Sequence, residues 1–426
     1  MKLTVVGGGS TYTPELVDGL CRLSGQLPVD ELCLVDPDAE RLASVAGISQ
    51  RMTARAGGPF AVTATGDLTA GVTDADVVLL QLRVGGQAAR HCDETWPHEA
   101  GVIGQETTGP GGFAKALRTV PVVLDIAETI RKHAKKDAWI IDFTNPVGIV
   151  TRVLLMAGHR AVGLCNVAIG FQRRFANLLG VEHRHIRLGH VGLNHLTWER
   201  AVYLADPADP AAGRDVLPEL LEHHLATIAE EEELPAAALR LQHAVPSYYL
   251  RYYYAHDEVL RRQLAEPTRA EEVMDIERAL LRQYADPAVD TKPEELAQRG
   301  GAFYSEAAVD LIASLCGDVR DVQVVNVRNG GILPFLPDDH VIEVPATIAA
   351  GGPAALAVGE LPGEMAGLIA HVAEYERLAL SAAVRGGRDR VLRALLAHPL
   401  VGQMDKAERL TDLLLAHNAP YLAWAQ

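Results

Sequence analysis

The hydrophobic pattern divides the chain in two. Over the first 165 residues, continuous apolar runs alternate with segments of helical period. LTVVGG (3–8), ELCLVD (31–36), DVVLLQLR (76–83), AWIIDFTNP (138–146) and AVGLC (161–165) predict strands buried on both faces. Thr13 is placed as a helix N-cap with Pro14 as the first helical residue, where a missing N–H costs nothing. Residues 114–135 read as a helix whose last turns carry Arg131, Lys132 and Lys135, with Lys136 just beyond, which suit its C-terminal dipole. Such alternation predicts a parallel sheet with right-handed crossovers. Beyond about residue 185 the pattern changes. IRLGHVGLNHLTWERAVYL (186–204) predicts paired strands around a turn. Helical segments follow near 214–230, 247–264 and 269–284, then strands at QVVNVRN (323–329) and HVIEVPA (340–346), and a helical tail over 361–418. The expectation is an α/β fold with a parallel-sheet domain over 1–190 and an α+β domain over 191–426.

Charge and cysteine content narrow the function. A formal net charge of −16 over 426 residues excludes a general nucleic-acid or anionic-membrane binder, which needs a broad cationic face. It leaves room for a small phosphorylated ligand, for which two or three arginines suffice. No run of 18 apolar residues offers a membrane span. The five cysteines, Cys21, Cys33, Cys92, Cys165 and Cys316, are scattered and form no disulfide framework. MKLTVVGGGS is a strand rather than a leader, so a reducing, cytoplasmic setting is expected.

The candidate chemistry sits at the carboxyl ends of the predicted strands, where such sheets bind ligands. Gly7, Gly8 and Gly9, with Ser10 and Thr11, join the first strand to a helix. This is a Rossmann-like order, although Tyr12 replaces the third glycine of the dinucleotide fingerprint. Asp36 ends the second strand, where a carboxylate would bond an adenine-ribose 2′-hydroxyl and favour NAD over NADP. Asn145-Pro146 resembles the TNPV segment of lactate and malate dehydrogenases, which keeps a hydroxy-acid or sugar dehydrogenase open. Their GEHGxS-like catalytic stretch is absent; HVGLNHL (190–196) stands near that place. Cys165 and His195 could hold a borderline divalent cation or be a core thiol and a structural histidine; residue chemistry alone leaves both open.

Taken together, GGGSTYTPEL (7–16), RVGG (83–86), GQETTGPGGF (104–113), FTNPVG (143–148), GLCN (163–166), GLNHL (192–196) and YLRYY (249–253) resemble glycoside hydrolase family 4, most closely its 6-phospho-β-glucosidases. RGGAFYSEAA (299–308), LPDDHVIEVP (336–345) and LLAHPLV (395–401) extend the resemblance to about residue 410. The resemblance implies a C-terminal domain like that of lactate and malate dehydrogenases and a homodimer or homotetramer. It implies NAD and a divalent metal, usually Mn²⁺, as cofactors, and a phosphorylated disaccharide or glycoside such as cellobiose 6′-phosphate as substrate. This NAD-dependent family is an exception to the two-carboxylate rule of glycosidases. Transient oxidation at C3 acidifies the C2 proton; its removal expels the glycosidic oxygen from C1, water adds, and the hydride returns.

By position, the resemblance makes Cys165 and His195 the metal ligands and Tyr249 the base, with Tyr248 its rival. Glu106 modulates that tyrosine. Arg90, Arg269 and Arg83 meet the phosphate or substrate. Asn145 touches both sugar and nicotinamide. Asn166 contacts substrate, and an amide rather than an acid beside the metal cysteine points to β-linked substrates. Ala168 stands where many relatives have proline, and Cys92 stands close to Arg90. Another sugar specificity within the family, and a non-catalytic NAD-sensing scaffold, are the remaining alternatives.

Overall fold

The computed structural model describes residues 1–206, 209–300, 303–317 and 320–425. Gly301 and Ala302 of the RGGAFYSEAA motif therefore lie outside the described residues. Among the described residues, thirteen strands form one sheet. Its first part comprises β1 (Lys2–Val6), β2 (Glu31–Val35), β3 (Ala61–Thr65), β4 (Val77–Leu80), β5 (Trp139–Asp142) and β6 (Ala161–Gly163), all parallel, in the order β6-β5-β4-β1-β2-β3. β1, β2, β4, β5 and β6 are buried, with only Lys2 and Glu31 partly exposed, as their apolar runs require; β3 is half-exposed and its small residues gave no such run.

The later strands do not build a separate sheet. β11 (Asp321–Arg328) pairs antiparallel with β6 through Asn326 and Gly163, and β12 (Val341–Ala349) pairs with β11. β7 (Ile186–Leu193) and β8 (Leu196–Asp206) follow on β12, with β9 (Asp209–Asp215) and β10 (Val245–Pro246) on β8 and β13 (Gly352–Ala355) on β12. The addition covers the otherwise open edge of β6, whose unpaired N–H and C=O groups would be a liability. Both halves therefore share one main core, which includes Leu3, Leu34, Ile141 and Leu164 with Val325, Val344 and Leu410.

Several local expectations change. Tyr12, not Thr13, is the N-cap of the helix Thr13–Arg22, and the Thr13 hydroxyl donates to Gly8 O at 2.9 Å instead. The helix expected from 114 starts at Gly109 and ends at His133. The stretch 247–264 is broken into a 3₁₀ turn Tyr248–Leu250 and helices Arg251–Tyr254 and His256–Ala265. Strand β9 occupies the start of the expected 214–230 helix, which resumes as Leu217–His223 and Leu225–Glu231. No helix among the described residues is long and apolar enough to cross a membrane.

β7 and β8 meet in a tight hairpin whose Leu193–Leu196 pair leaves Asn194 and His195 as the turn. His195 has a positive φ of 66°, a conformation that costs a β-carbon-bearing residue of order 1–3 kcal/mol and concentrates at functional sites. Gly192 of the same motif, at φ 151°, lies so close to β8 that a Cβ there would stand 2.0 Å from Leu196 O. Gly192→Ala is expected to lower the unfolding free energy by about 2–3 kcal/mol through overpacking. Urea denaturation reads this directly, and unchanged stability would contradict the packing argument.

Candidate active site

The strand ends open into a cavity of about 1250 Å³ whose wall includes Gly7, Asp36, Arg83, Arg90, Glu106, Asn145, Asn166, Tyr249 and Arg269. Two ends can be told apart by chemistry. At one, the glycine loop lies over the carboxyl ends of β1 and β2. Gly7 has φ +87°, and a Cβ there would lie 2.6 Å from Gln81 O, so only glycine lets the loop sit this low. The Asp36 carboxylate accepts Gly9 N–H and Asp38 N–H, each at 3.0 Å, which orients it at the cavity wall. Gly7 and Ser10 line the cavity, while Gly8, Gly9 and Thr11 are buried. A glycine cradle, a helix N-terminus and an oriented acid at the next strand end together fit an adenine dinucleotide.

Thr11 does not face this cavity. Its hydroxyl donates to Glu277 Oε1 at 3.1 Å and accepts Arg299 Nε at 2.6 Å. Glu277, on the helix Arg269–Ala285, also accepts from Arg41 at 3.0 Å, Gln87 at 3.1 Å and Arg299 Nη2 at 3.0 Å. Burial opposes its ionisation, but Arg299 and Arg41 outweigh it and lower the carboxyl to about 2. Glu277 thus ties the glycine loop to the helix headed by Arg269.

At the other end Tyr249 stands in the wall, with His195 against its ring and Cys165 near it; these two do not themselves line the cavity. Cys165 follows β6 and is 4% exposed, and His195 is 6% exposed. The Tyr249 ring lies flat on the His195 ring, centroids 3.7 Å apart and planes within 6°. The Thr107 hydroxyl donates to Gln105 Oε1 at 2.8 Å, so it accepts His195 Nδ1–H at 2.9 Å. That bond fixes the tautomer and leaves Nε2 with a lone pair for a ligand. Burial lowers His195 to about 4, so the ring is neutral near pH 7. The Cys165 sulfur lies at the start of the helix Val167–Leu179 and receives hydrogen bonds from Val167 N–H, the Asn194 side chain and Asn166 N–H, while burial pushes its thiol well up. Among the described residues no third histidine, cysteine or carboxylate joins a metal-binding group. A thiolate and a neutral imidazole fit a borderline divalent cation with open positions, to which a substrate can add oxygens.

Glu106 gathers the cations. Its carboxylate bonds Arg83, the Lys115 ammonium at 2.7 Å and, at 3.3 Å, Arg90, which also holds Glu94 at 2.7 Å. Burial alone would raise Glu106; Arg83, Lys115 and Arg90 overcome it and hold the carboxyl well below the usual range. Lys115 is lowered to about 8 by burial despite Glu106. Arg269 sits at the cavity rim, held by Glu272 at 2.7 Å and Gln298 O at 2.6 Å, its side chain 45% exposed. Asn145, before a cis Asn145–Pro146 bond, keeps a buried Oδ1 without a partner among the described residues. Such an acceptor on a cavity wall calls for a donor from a ligand. Tyr248 lines the same cavity, but the Arg251 guanidinium covers its ring at 3.7 Å, whereas the Tyr249 ring lies on His195.

Sequence reasoning missed Lys115, Thr107, Gln105, Glu277 and Tyr304. Thr107 and Gln105 lie in the GQETTG stretch already singled out, and Tyr304, which lines the cavity near Tyr249, lies in RGGAFYSEAA. Lys115 and Glu277 sit inside ordinary helical patterns that carry no signal of their own.

Comparison with known proteins follows the same lines. Residues 2–181 match the model of family 4 glycosyl hydrolases, and residues 190–401 match that of the family 4 glycosyl hydrolase C-terminal domain. A probable 6-phospho-β-glucosidase of Bacillus subtilis is 38% identical over 99% of this chain and 97% of its own. The 6-phospho-β-glucosidase of Thermotoga maritima, solved with NAD and glucose 6-phosphate, superposes with a TM-score of 0.92 at 36% identity over 99% of both chains. The same enzyme solved with manganese, NAD⁺ and glucose 6-phosphate gives a TM-score of 0.90 at 35% identity, again over 99% of both chains. A malate dehydrogenase of Plasmodium falciparum, at 13% identity and a TM-score of 0.53 over 90% of this chain and 98% of its own, shares the fold alone. With one family model over each half and full-length relatives above 30% identity, the chain belongs to glycosyl hydrolase family 4, a family of glycosidases.

Proposed function

We propose that this chain hydrolyses 6-phospho-β-glucosides, such as cellobiose 6′-phosphate, to glucose 6-phosphate and an aglycone or sugar, using NAD and a divalent metal, Mn²⁺ by preference. One observation carries the reading: the glycine cradle with its oriented Asp36 and Tyr249, whose ring lies on His195 and which senses Cys165, share the wall of one cavity. A plain hydrolase has no use for the first, and a dehydrogenase that works without a metal has none for the second. The named relatives support the phosphorylated β-glucoside as substrate class. The dinucleotide supplies reversible hydride acceptance when bound, and the cation supplies Lewis acidity toward sugar oxygens.

The chain's own residues do the rest. Arg90, Arg83 and Arg269 bind the 6-phosphate. Arg83 and Arg90 are held in place by Glu106, whereas among the described residues Arg269 is held by a surface pair and a carbonyl, which a phosphate can outbid. Asn145 presents an unpaired acceptor to a sugar hydroxyl or the nicotinamide amide. Asn166 lies on the same wall, and its amide cannot act as a general acid. Tyr249 is the base for the proton at C2. Burial, with Cys165 and its tyrosine neighbours, holds its phenol well above its ordinary value, while attraction between Arg90 and a Tyr249 phenolate works the other way. Glu106 is the counter-ion that sets how much of that positive field reaches the ring. His195, neutral and with Nε2 free, and Cys165 are the groups that hold the cation.

Release of nitrophenol from 4-nitrophenyl β-D-glucoside 6-phosphate tests the class. Turnover is expected only with NAD⁺, Mn²⁺ and reductant together, without net NADH at steady state. EDTA should abolish it and added Mn²⁺ restore it, and Cys165→Ser should lower kcat about 100-fold or more with NAD⁺ affinity unchanged. Turnover indifferent to EDTA and to Cys165→Ser would overturn the reading, and steady NADH accumulation would favour a dehydrogenase.

Arg269→Ala is expected to raise KM about 10-fold or more for the 6-phosphoglucoside, the loss of one charge-assisted contact. The unphosphorylated analogue should change by less than about twofold. Equal effects on both substrates would refute phosphate recognition by Arg269.

A further inference from the structure

The turn that carries His195 is backed by a buried ionic set that none of the steps above uses. His190 on β7 lies between Glu199 on β8, at 2.5 Å from Nδ1, and Glu343 on β12, at 3.0 Å from Nε2. All three side chains are at most 1% exposed. With a carboxylate on each ring nitrogen both nitrogens donate, so the ring is an imidazolium; burial opposes that charge, but Glu199 and Glu343 raise it to about 10. Glu343 spends one oxygen on His190. The other, Oε2, accepts Asn194 Nδ2–H at 2.8 Å and Asn326 Nδ2–H at 2.9 Å.

Those two amides lead to the two candidate ligands. Asn194 immediately precedes His195 in the hairpin turn, and its side chain also hydrogen-bonds the Cys165 sulfur. Asn326 pairs across the sheet with Gly163, two residues before Cys165. Glu343 itself pairs across the sheet with Gly192, three residues before His195. One carboxylate oxygen is therefore bonded both to the turn of His195 and to the strand beside Cys165. Stability does not explain the arrangement, because well-packed apolar residues hold a core as well as or better than a buried ion set. What the ions add is directional bonds, and those bonds run to the Cys165–His195 pair.

We propose that Glu343 is a positioning residue for the metal pair: clamped by His190, it holds Asn194 and Asn326 so that the His195 turn and the Cys165 strand end are in place before a cation binds. The inference rests on the reading of Cys165 and His195 as metal ligands. It assigns Asn194 a specific part, as the amide that connects the clamp to the sulfur.

Mn²⁺ titration followed by EPR of the free ion, on the full chain saturated with NAD⁺, tests it. Glu343→Gln and Asn194→Ala are expected to weaken Mn²⁺ binding about 10- to 100-fold, the range for groups behind metal ligands, with the NAD⁺ dissociation constant within about twofold of the parent. Cys165→Ser should remove the tight site. Wild-type affinity in both variants, with the site lost in Cys165→Ser, would overturn the role of Glu343 and leave the metal pair standing. Tight Mn²⁺ binding that survives Cys165→Ser would overturn the metal pair, and this inference with it. If Glu343→Gln does not fold, Asn194→Ala decides alone, since it leaves the buried ionic set intact.

Discussion

The antiparallel pairing of β11 with β6 makes one sheet of the two halves of the chain, and the site depends on that seam. Cys165 leaves the end of β6, and His195 sits on the hairpin turn between β7 and β8, two strands beyond the seam across β11 and β12. The same parallel order that puts the glycine loop and Asp36 at the carboxyl ends of β1 and β2 brings Arg83, Asn145 and Cys165 to that edge. The register of the sheet brings these groups together, and bonds such as Gly9 N–H to Asp36 and Asn194 to Cys165 hold them there.

Within that frame, electrostatics divides the work. Burial strips charge from Cys165 and His195, the proposed metal ligands, leaving a neutral imidazole and a protonated thiol, a state from which a cation would have to displace a proton. Around Glu106 burial loses: the carboxylate stays ionised because three cations face it. The result is a cavity with oriented positive groups on its wall and an uncharged imidazole and thiol close to Tyr249. This suits a substrate that brings its own anionic phosphate and several hydroxyl oxygens. The dehydrogenase-like fold alone would not distinguish such a glycosidase from a hydroxy-acid dehydrogenase; the thiol, the histidine and the arginines do.

Much of this was legible in the residues. Buried parallel strands write themselves as apolar runs ending in glycine or polar residues, so β1, β2, β4, β5 and β6, and the functional groups after them, could be placed from sequence. The glycine loop, Asp36, Asn145, Cys165 and His195 owed their recognition to that punctuation and to ordered motifs. Other parts left no local trace. β3 is half-exposed and built of small residues, and the tyrosine-rich run after 247 imitates a helix although it folds as a 3₁₀ turn and two short helices. Thr11 lay inside the glycine motif, but its side chain serves Glu277 and Arg299. Glu277 and Glu343 act across long sequence separations and Lys115 across a loop-to-helix junction, and a single charged residue in a helix or strand does not reveal its partner. Glu343 even fell within LPDDHVIEVP, yet its bonds to His190, Asn194 and Asn326 exist only once the strands are in register.

In the proposed function, hydrolysis proceeds by way of proton removal at C2. Turnover of a 6-phospho-β-glucoside in D₂O, with NAD⁺ and Mn²⁺, followed by mass spectrometry and NMR of the glucose 6-phosphate formed, tests it most directly. Deuterium is expected at C2 of the product of the first turnovers, before any exchange of accumulated product. Product that retains its original hydrogen at C2 while hydrolysis proceeds would contradict it.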